Sequence, residues 1–228
     1  MSNDHQNKEK LAVAKAAVAF VKHQDVVGLG TGSTATLVIK ELAKRMNEKF
    51  SITGVPSSEA TKDLAISLGI PLLALGKTHS IDISIDGADE FTEDLALIKG
   101  GGGALFREKI VASLSKNRII VTDSSKKVSK LGAFMVPIEI NPNAYQYVLN
   151  EIGKLGGICN LRIADHEIYI TDNGNYIVDA DFGLIENPEK LASALNQIDG
   201  ILAHGIFVGL TTTILMAKDR EIITYTKE

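Results

Sequence analysis

The chain has 228 residues, 45% hydrophobic and 23% charged, an ordinary balance for a globular protein and enough for one large domain or two modest ones. A net charge of -4 argues against a basic nucleic-acid-binding face, so any anionic ligand has to be held by local groups. The one cysteine, Cys159, cannot close an internal disulfide, no apolar run approaches membrane-spanning length, and the start Met1-Ser-Asn-Asp-His-Gln lacks a leader core, so a cytoplasmic protein with no membrane or nucleic-acid partner is expected.

Apolar residues at 11, 14, 17, 18 and 21 predict an amphipathic helix over 8–22. A short buried strand over 25–29 runs into Gly30-Thr-Gly-Ser-Thr34, after which Leu37, Val38, Leu42 and Met46 return to helical spacing. The glycine turn therefore joins a strand to a helix. A strand over 51–55 and a helix from Pro56-Ser-Ser-Glu to Leu68 follow, then strands over 71–75 and 81–85, a helix over 104–114 and a strand over 118–122. Strands alternating with helices imply right-handed crossovers and a mostly parallel sheet covered on both faces.

The rhythm changes after Gly132: a strand over 134–140, a helix over 143–155 and a strand over 158–163. Segments 167–171 and 176–181 flank Asn173-Gly174, a strong hairpin signal, and a helix over 188–198 and a strand over 201–208 complete a split βαβ arrangement. Two short strands, 211–216 and 221–225 around Asp219-Arg220, return to the first sheet. The expected fold is α/β: a Rossmann-like, mostly parallel sheet flanked by helices (1–130 plus 209–228) with a second, smaller α+β, ferredoxin-like domain (131–208).

In an open α/β sheet, ligands sit at the carboxyl ends of the strands, and the loops after Leu29, Ile85 and Val121 all leave such ends. Gly28-Leu-Gly-Thr-Gly-Ser-Thr34 opens a helix and suits an anion, although the same turn could be capped by Ser33 or Thr34. It lacks the third glycine of a dinucleotide loop and the Gly-Lys-Ser/Thr of a nucleoside triphosphate loop. Asp82 to Glu93 has nearly the spacing of a calcium loop, but Ile81, Ile83 and Ile85 alternate as a strand where such a loop is entered by a helix. Asp86 and Asp89 are instead candidate proton-handling groups. Lys99-Gly-Gly-Gly-Gly103 offers a charge and backbone amides for an oxyanion, and Glu108 lies about one turn into the next helix, where the positive helix end favours ionisation. The bland reading of Glu108 is a surface ion pair with Arg107, Lys109 or Lys116. Of Lys126, Lys127 and Lys130, one can hold a phosphate at a strand end. The five histidines have no metal-ligand spacing.

Taken together, Gly-Thr-Gly-Ser-Thr (30–34), Asp-Gly-Ala-Asp-Glu (86–90), Lys-Gly-Gly-Gly (99–102), Arg-Glu-Lys (107–109) and Asp-Ser-Ser-Lys (123–126) resemble ribose-5-phosphate isomerase of the A type. Leu155-Gly-Gly157 and Thr171-Asp-Asn-Gly-Asn175 extend the resemblance into the second domain. It implies an aldose–ketose isomerase of the non-oxidative pentose phosphate pathway that interconverts D-ribose 5-phosphate and D-ribulose 5-phosphate through an enediolate. It implies no metal or cofactor and a homodimer or homotetramer. By the family pattern Glu108 is the proton acceptor, assisted by Asp86, Asp89 and Lys99. The sugar phosphate is contacted by Thr31, Gly32, Ser33 and Thr34, by Asp86, Gly87, Ala88 and Asp89, by Lys99, Gly100, Gly101 and Gly102, and by Lys126, with Lys10 adding to the phosphate site. The alternatives are a coenzyme A transferase-like enzyme, an amino-sugar phosphate deaminase and a non-catalytic sugar-phosphate sensor domain; the last leaves Glu108 without a purpose.

Overall fold

The computed structural model describes residues 3–47, 49–219 and 221–227; Met1 and Ser2 of the polar start, and Arg220 of the expected closing turn, lie outside them. Helix α1 (Asn3–Ala17) begins well before residue 8 and gives way to a tight helical turn at Val18–Phe20. Its first turns are polar and so carry no apolar period. They are held instead by fully buried Glu9, whose carboxylate accepts the N–H groups of Ser124 (3.2 Å) and Asp219 (2.8 Å). Then come β1 (Val26–Leu29), α2 (Ser33–Arg45), β2 (Thr53–Pro56), α3 (Glu59–Ser67) and β3 (Ile81–Asp86). Two two-residue strands, β4 (Glu90–Phe91) and β5 (Leu97–Ile98), precede α4 (Leu105–Leu114) and β6 (Ser115–Asp123).

Strands β1, β2, β3 and β6 pair in parallel in the order β2, β1, β3, β6. Both faces of β3 are covered: Ile81, Ile83 and Ile85 are buried on one side, Ser84 and Asp86 on the other. Such double coverage explains the near-continuous apolar run of a parallel strand. Strand order reverses at β1, since β2 lies to one side of it and β3 to the other, which opens a crevice at the carboxyl ends. Segment 71–75 is not a strand. Leu72 makes one isolated bridge to Gly54, and Leu75 already begins a helical turn.

The later part contains β7 (Val136–Ile140), α5 (Tyr145–Lys154), β8 (Ile158–Leu161), β9 (Ile163–Ala164), β10 (Glu167–Ile168), β11 (Tyr176–Asp181), α6 (Pro188–Leu195) and β12 (Ile201–His204). Strands β12, β7, β11 and β8 form an antiparallel sheet in that order, the ferredoxin-like arrangement, with α5 and α6 supplying Val148, Ile152 and Leu195 to its core. The expected hairpin is reduced to one antiparallel bridge, Ile170 to Tyr176. Strand β11 is flanked by β7 and β8, so both its edges are taken, and β10 turns back on β9. The Asn173-Gly174 turn survives as a loop in which Gly174 N–H donates to Thr171 O (2.9 Å).

The expected strand over 201–208 is broken at Gly205 into β12 and β13 (Ile206–Phe207), which lie in different sheets; β13 pairs with β5, and β5 with β4. Strands β14 (Thr213–Lys218) and β15 (Glu221–Thr226) return to the first sheet. There β14 lies parallel to β6, and β15 closes the edge antiparallel.

Candidate active site

Three strand ends meet in one cleft of about 140 Å³. At the end of β1, Gly30 lies against Asp86, and a Cβ there would collide with the aspartate side chain, so the close approach needs glycine. Gly32 (φ 110°) turns the chain into α2, whose first turn has no side-chain cap. Neither Ser33 nor Thr34 therefore acts as the cap, and the unpaired amides of the helix start, with exposed Gly32 and Ser33, border the cleft. The Thr31 hydroxyl is committed elsewhere, to Ser57 Oγ (2.8 Å), Ser58 Oγ (2.9 Å) and Thr61 Oγ1 (3.2 Å) around the start of α3.

Asp86, the last residue of β3, stands behind the cleft and does not line it. Its Oδ1 accepts the N–H groups of Thr31 (3.1 Å) and Gly87 (2.7 Å), and its Oδ2 lies 3.0 Å from Lys99 Nζ. Asp89 does line the cleft, and its Oδ2 accepts the Gly101 N–H (2.8 Å). That amide is consequently engaged within the protein, while Gly100 and Gly102 line the cleft beside it.

Lys99 follows β5 and is 3% exposed. Its ammonium donates to Gly87 O (2.6 Å) and lies 3.4 Å from Glu108 Oε2 as well as beside Asp86. Burial works against its charge, but the attraction of Asp86 and then of Glu108 outweighs burial and holds its pKa above the ordinary lysine value. Glu108, in the first turn of α4, is 5% exposed, and its Oε2 has no hydrogen-bond partner among the described residues. The expectation of easy ionisation is overturned. Burial first, then the charges of Asp86 and Asp89, push the Glu108 carboxyl upward against the opposing pull of Lys99. A helix end contributes a modest stabilisation, which desolvation of a buried carboxylate exceeds.

The bland reading of Glu108 also fails on geometry. Arg107 pairs with Glu59 (2.8 Å), Lys116 with Asp82 (2.8 Å), and Lys109 Nζ donates to the carbonyls of His204 (2.7 Å) and Ile206 (3.0 Å). The acidic groups over 82–93 are likewise dispersed, Asp82 to Lys116, Asp86 to Lys99, Glu90 to the N–H groups of Gly132 and Phe134, and Glu93 to Lys127. They do not converge as a calcium loop requires.

Beside α2's start, Lys126 from the helical turn after β6 and Lys10 from α1 complete the cleft. Lys127 and Lys130 are directed to Glu93 and Glu186. Neither Lys10 nor Lys126 has a carboxylate partner among the described residues. Of the residues that the resemblance assigns to catalysis and substrate contact, all but Asp86 line this one cleft. Val121 and Thr122, which no motif included, line it too, as does Asp123 of the Asp-Ser-Ser-Lys motif; all three end a strand whose carboxyl terminus points there.

A buried carboxyl whose Oε2 has no hydrogen-bond partner among the described residues, a buried ammonium beside it and two lysines near a helix start can bind an anion and move a proton on carbon. The family model described as ribose 5-phosphate isomerase A (phosphoriboisomerase A) matches residues 53–221. Ribose-5-phosphate isomerase A 1 of Oceanobacillus iheyensis is 42% identical over 220 residues, covering 96% of this chain and 98% of its own. The structure of ribose 5-phosphate isomerase A from Methanocaldococcus jannaschii superposes with a TM-score of 0.93 at 40% identity, over 99% of this chain and 100% of that one. A D-ribose-5-phosphate isomerase in complex with phospho-erythronic acid matches with a TM-score of 0.93 at 36% identity, over 96% and 98% of the two chains.

Proposed function

Since the chain belongs to the ribose 5-phosphate isomerase A family, we propose that it interconverts D-ribose 5-phosphate and D-ribulose 5-phosphate, with Glu108 as the base. The observation that carries this is the pairing of buried Glu108 with buried Lys99 at 3.4 Å, in the cleft that also holds Lys10 and Lys126. In the open-chain aldose, Glu108 removes the proton from C2 and the electron pair moves to the carbonyl, giving an enediolate. The same carboxylic acid returns the proton to C1, while a second proton passes from O2 to O1. A carboxyl raised toward neutrality suits both halves of that cycle.

Lys99 offsets the charge that develops on the enediolate oxygen, and its burial makes that charge effective. In this reading Asp89, which lines the cleft, carries the hydroxyl proton transfer, and Asp86, hydrogen-bonded behind the cleft, orients Lys99. The phosphate is taken by the amides of Ser33 and Thr34 with Lys10 and Lys126. Phospho-erythronic acid, the compound bound by the relative, joins a phosphate to a carboxylate, and we expect it to compete with substrate here.

We also assign the chain to the cytoplasm and the pentose phosphate pathway, and a homodimer or homotetramer as its working form. The division into 1–130 plus 209–228 and 131–208 belongs to the same proposal. The deciding experiment is ribose 5-phosphate turnover with EDTA present, wild type beside Glu108→Gln. Turnover in the wild type and its near-complete loss in the variant are expected; a variant with near-normal turnover would sink the base assignment.

A further inference from the structure

Next to the base on α4 stands a half-buried cation that the reaction above does not use. Lys109 donates to His204 O (2.7 Å) and Ile206 O (3.0 Å), lies 3.4 Å from His204 Nδ1, and sits 4.7 Å from the Phe207 ring centre. No carboxylate pairs with it among the described residues. Burial lowers its pKa to about 8, so the fold holds the ammonium at a cost that an apolar side chain would avoid.

The two carbonyls it grips bracket Gly205, the point where the chain passes from β12 to β13. Gly205 O accepts the Lys99 N–H (2.9 Å), and Gly205 N–H donates to Pro137 O (2.7 Å). A Cβ at Gly205 would strike the Lys99 carbonyl, so the two backbones are in direct contact. Across the Phe207 ring, Lys99 Nζ lies 5.6 Å from the ring centre, facing the same aromatic as Lys109. A closed ring results, from Glu108 to Lys109 along α4, to residues 204–206, to Lys99, and back to Glu108 at 3.4 Å.

We propose that Lys109 is a positioning residue for the base: by fastening α4 to the carbonyls on either side of Gly205 it fixes the separation of Glu108 from Lys99. The proposal rests on Glu108 acting as the base. A shift of about an ångström between reacting groups costs up to about 100-fold in rate. Remote grips of this kind therefore act on turnover and not on substrate affinity, because the phosphate is held by other elements.

The test is steady-state turnover of ribose 5-phosphate by the full chain, wild type beside Lys109→Met, Lys109→Arg and Glu108→Gln, with a pH profile of kcat and a thermal melt for each. Lys109→Met is expected to lose roughly 10- to 100-fold in kcat with KM within about threefold. Its acid limb should be displaced from that of the wild type. Lys109→Arg keeps the charge, but its planar fork cannot seat on both carbonyls at the lysine's depth, so a loss of at least about threefold in kcat is expected. A Lys109→Met enzyme with wild-type kcat and an unmoved profile, whatever its melting temperature, overturns the proposal. Should that variant fail to fold, wild-type kcat and profile in Lys109→Arg overturn it equally. An inactive wild type or an active Glu108→Gln would instead remove the reading of Glu108 itself.

Discussion

Two carboxylates share Lys99 and are built for different tasks. Asp86 accepts two backbone N–H groups and pairs with the ammonium, whereas Glu108, among the described residues, is paired with the ammonium alone. A carboxylate with satisfied lone pairs is held still; one without them binds a proton more readily. Because the folded state raises the Glu108 pKa, the unfolded chain loses that proton first as pH rises. Stability from this group is therefore complete below the ordinary carboxylate range and falls as pH rises through the raised value. Glu108→Gln should accordingly melt higher than wild type, by about 2–4 °C for each kcal/mol relieved, with a larger gap at about pH 9 than at about pH 5. Equal gaps in melts at the two pH values would contradict this. Lys99→Met should go the other way: with both carboxylates left uncompensated, denaturant unfolding should show a loss of about 3–5 kcal/mol, and turnover should fall by at least about 100-fold.

At the level of elements, the site depends on strand ends meeting side chains that only glycine admits. Gly205→Ala would place a methyl group against the Lys99 carbonyl and 2.6 Å from Pro137 Cδ. The expected result is a destabilisation of about 1–3 kcal/mol by denaturant titration, with a fall in turnover because Lys99 moves. Much of this architecture was legible beforehand. Strands and helices from β1 to β6 each carry enough apolar residues to show a period, and their carboxyl ends located the cleft. Strands β4 and β5 have two residues each, too few for any period to register. The break at Gly205 was hidden because Ile201 to Val208 reads as one apolar run, and nothing local says that its halves join different sheets. The hairpin stops at a single bridge because its turn signal is local, whereas the competition of β7 and β8 for both edges of β11 is not. Asp86 was identified by type but not by position, since a strand covered on both faces gives no sign of which side adjoins the neighbouring glycine.

On the scale of the whole molecule, the phosphate grip is assembled from α1, the start of α2 and the turn after β6, far apart in sequence. Removing one cation should weaken affinity and leave the chemical step alone. Lys126→Met is expected to raise KM about 10-fold or more with kcat within about threefold, and to flatten the dependence of KM on salt. A Lys126→Met enzyme that lost kcat at unchanged KM would place that lysine in the chemistry instead. The crossing at Gly205 has a further consequence, for the making of the protein. Lys99 reaches its working position only when a segment about a hundred residues later in the chain has been laid against it, and contacts of such long range form late. Strand β14, lying along β6, is later still. A growing chain on the ribosome can thus complete the alternating strands and helices up to β6 and yet have no lysine socket. Catalytic competence therefore waits for the later segment, and a nascent or truncated chain ending before residue 204 is expected to turn no substrate over.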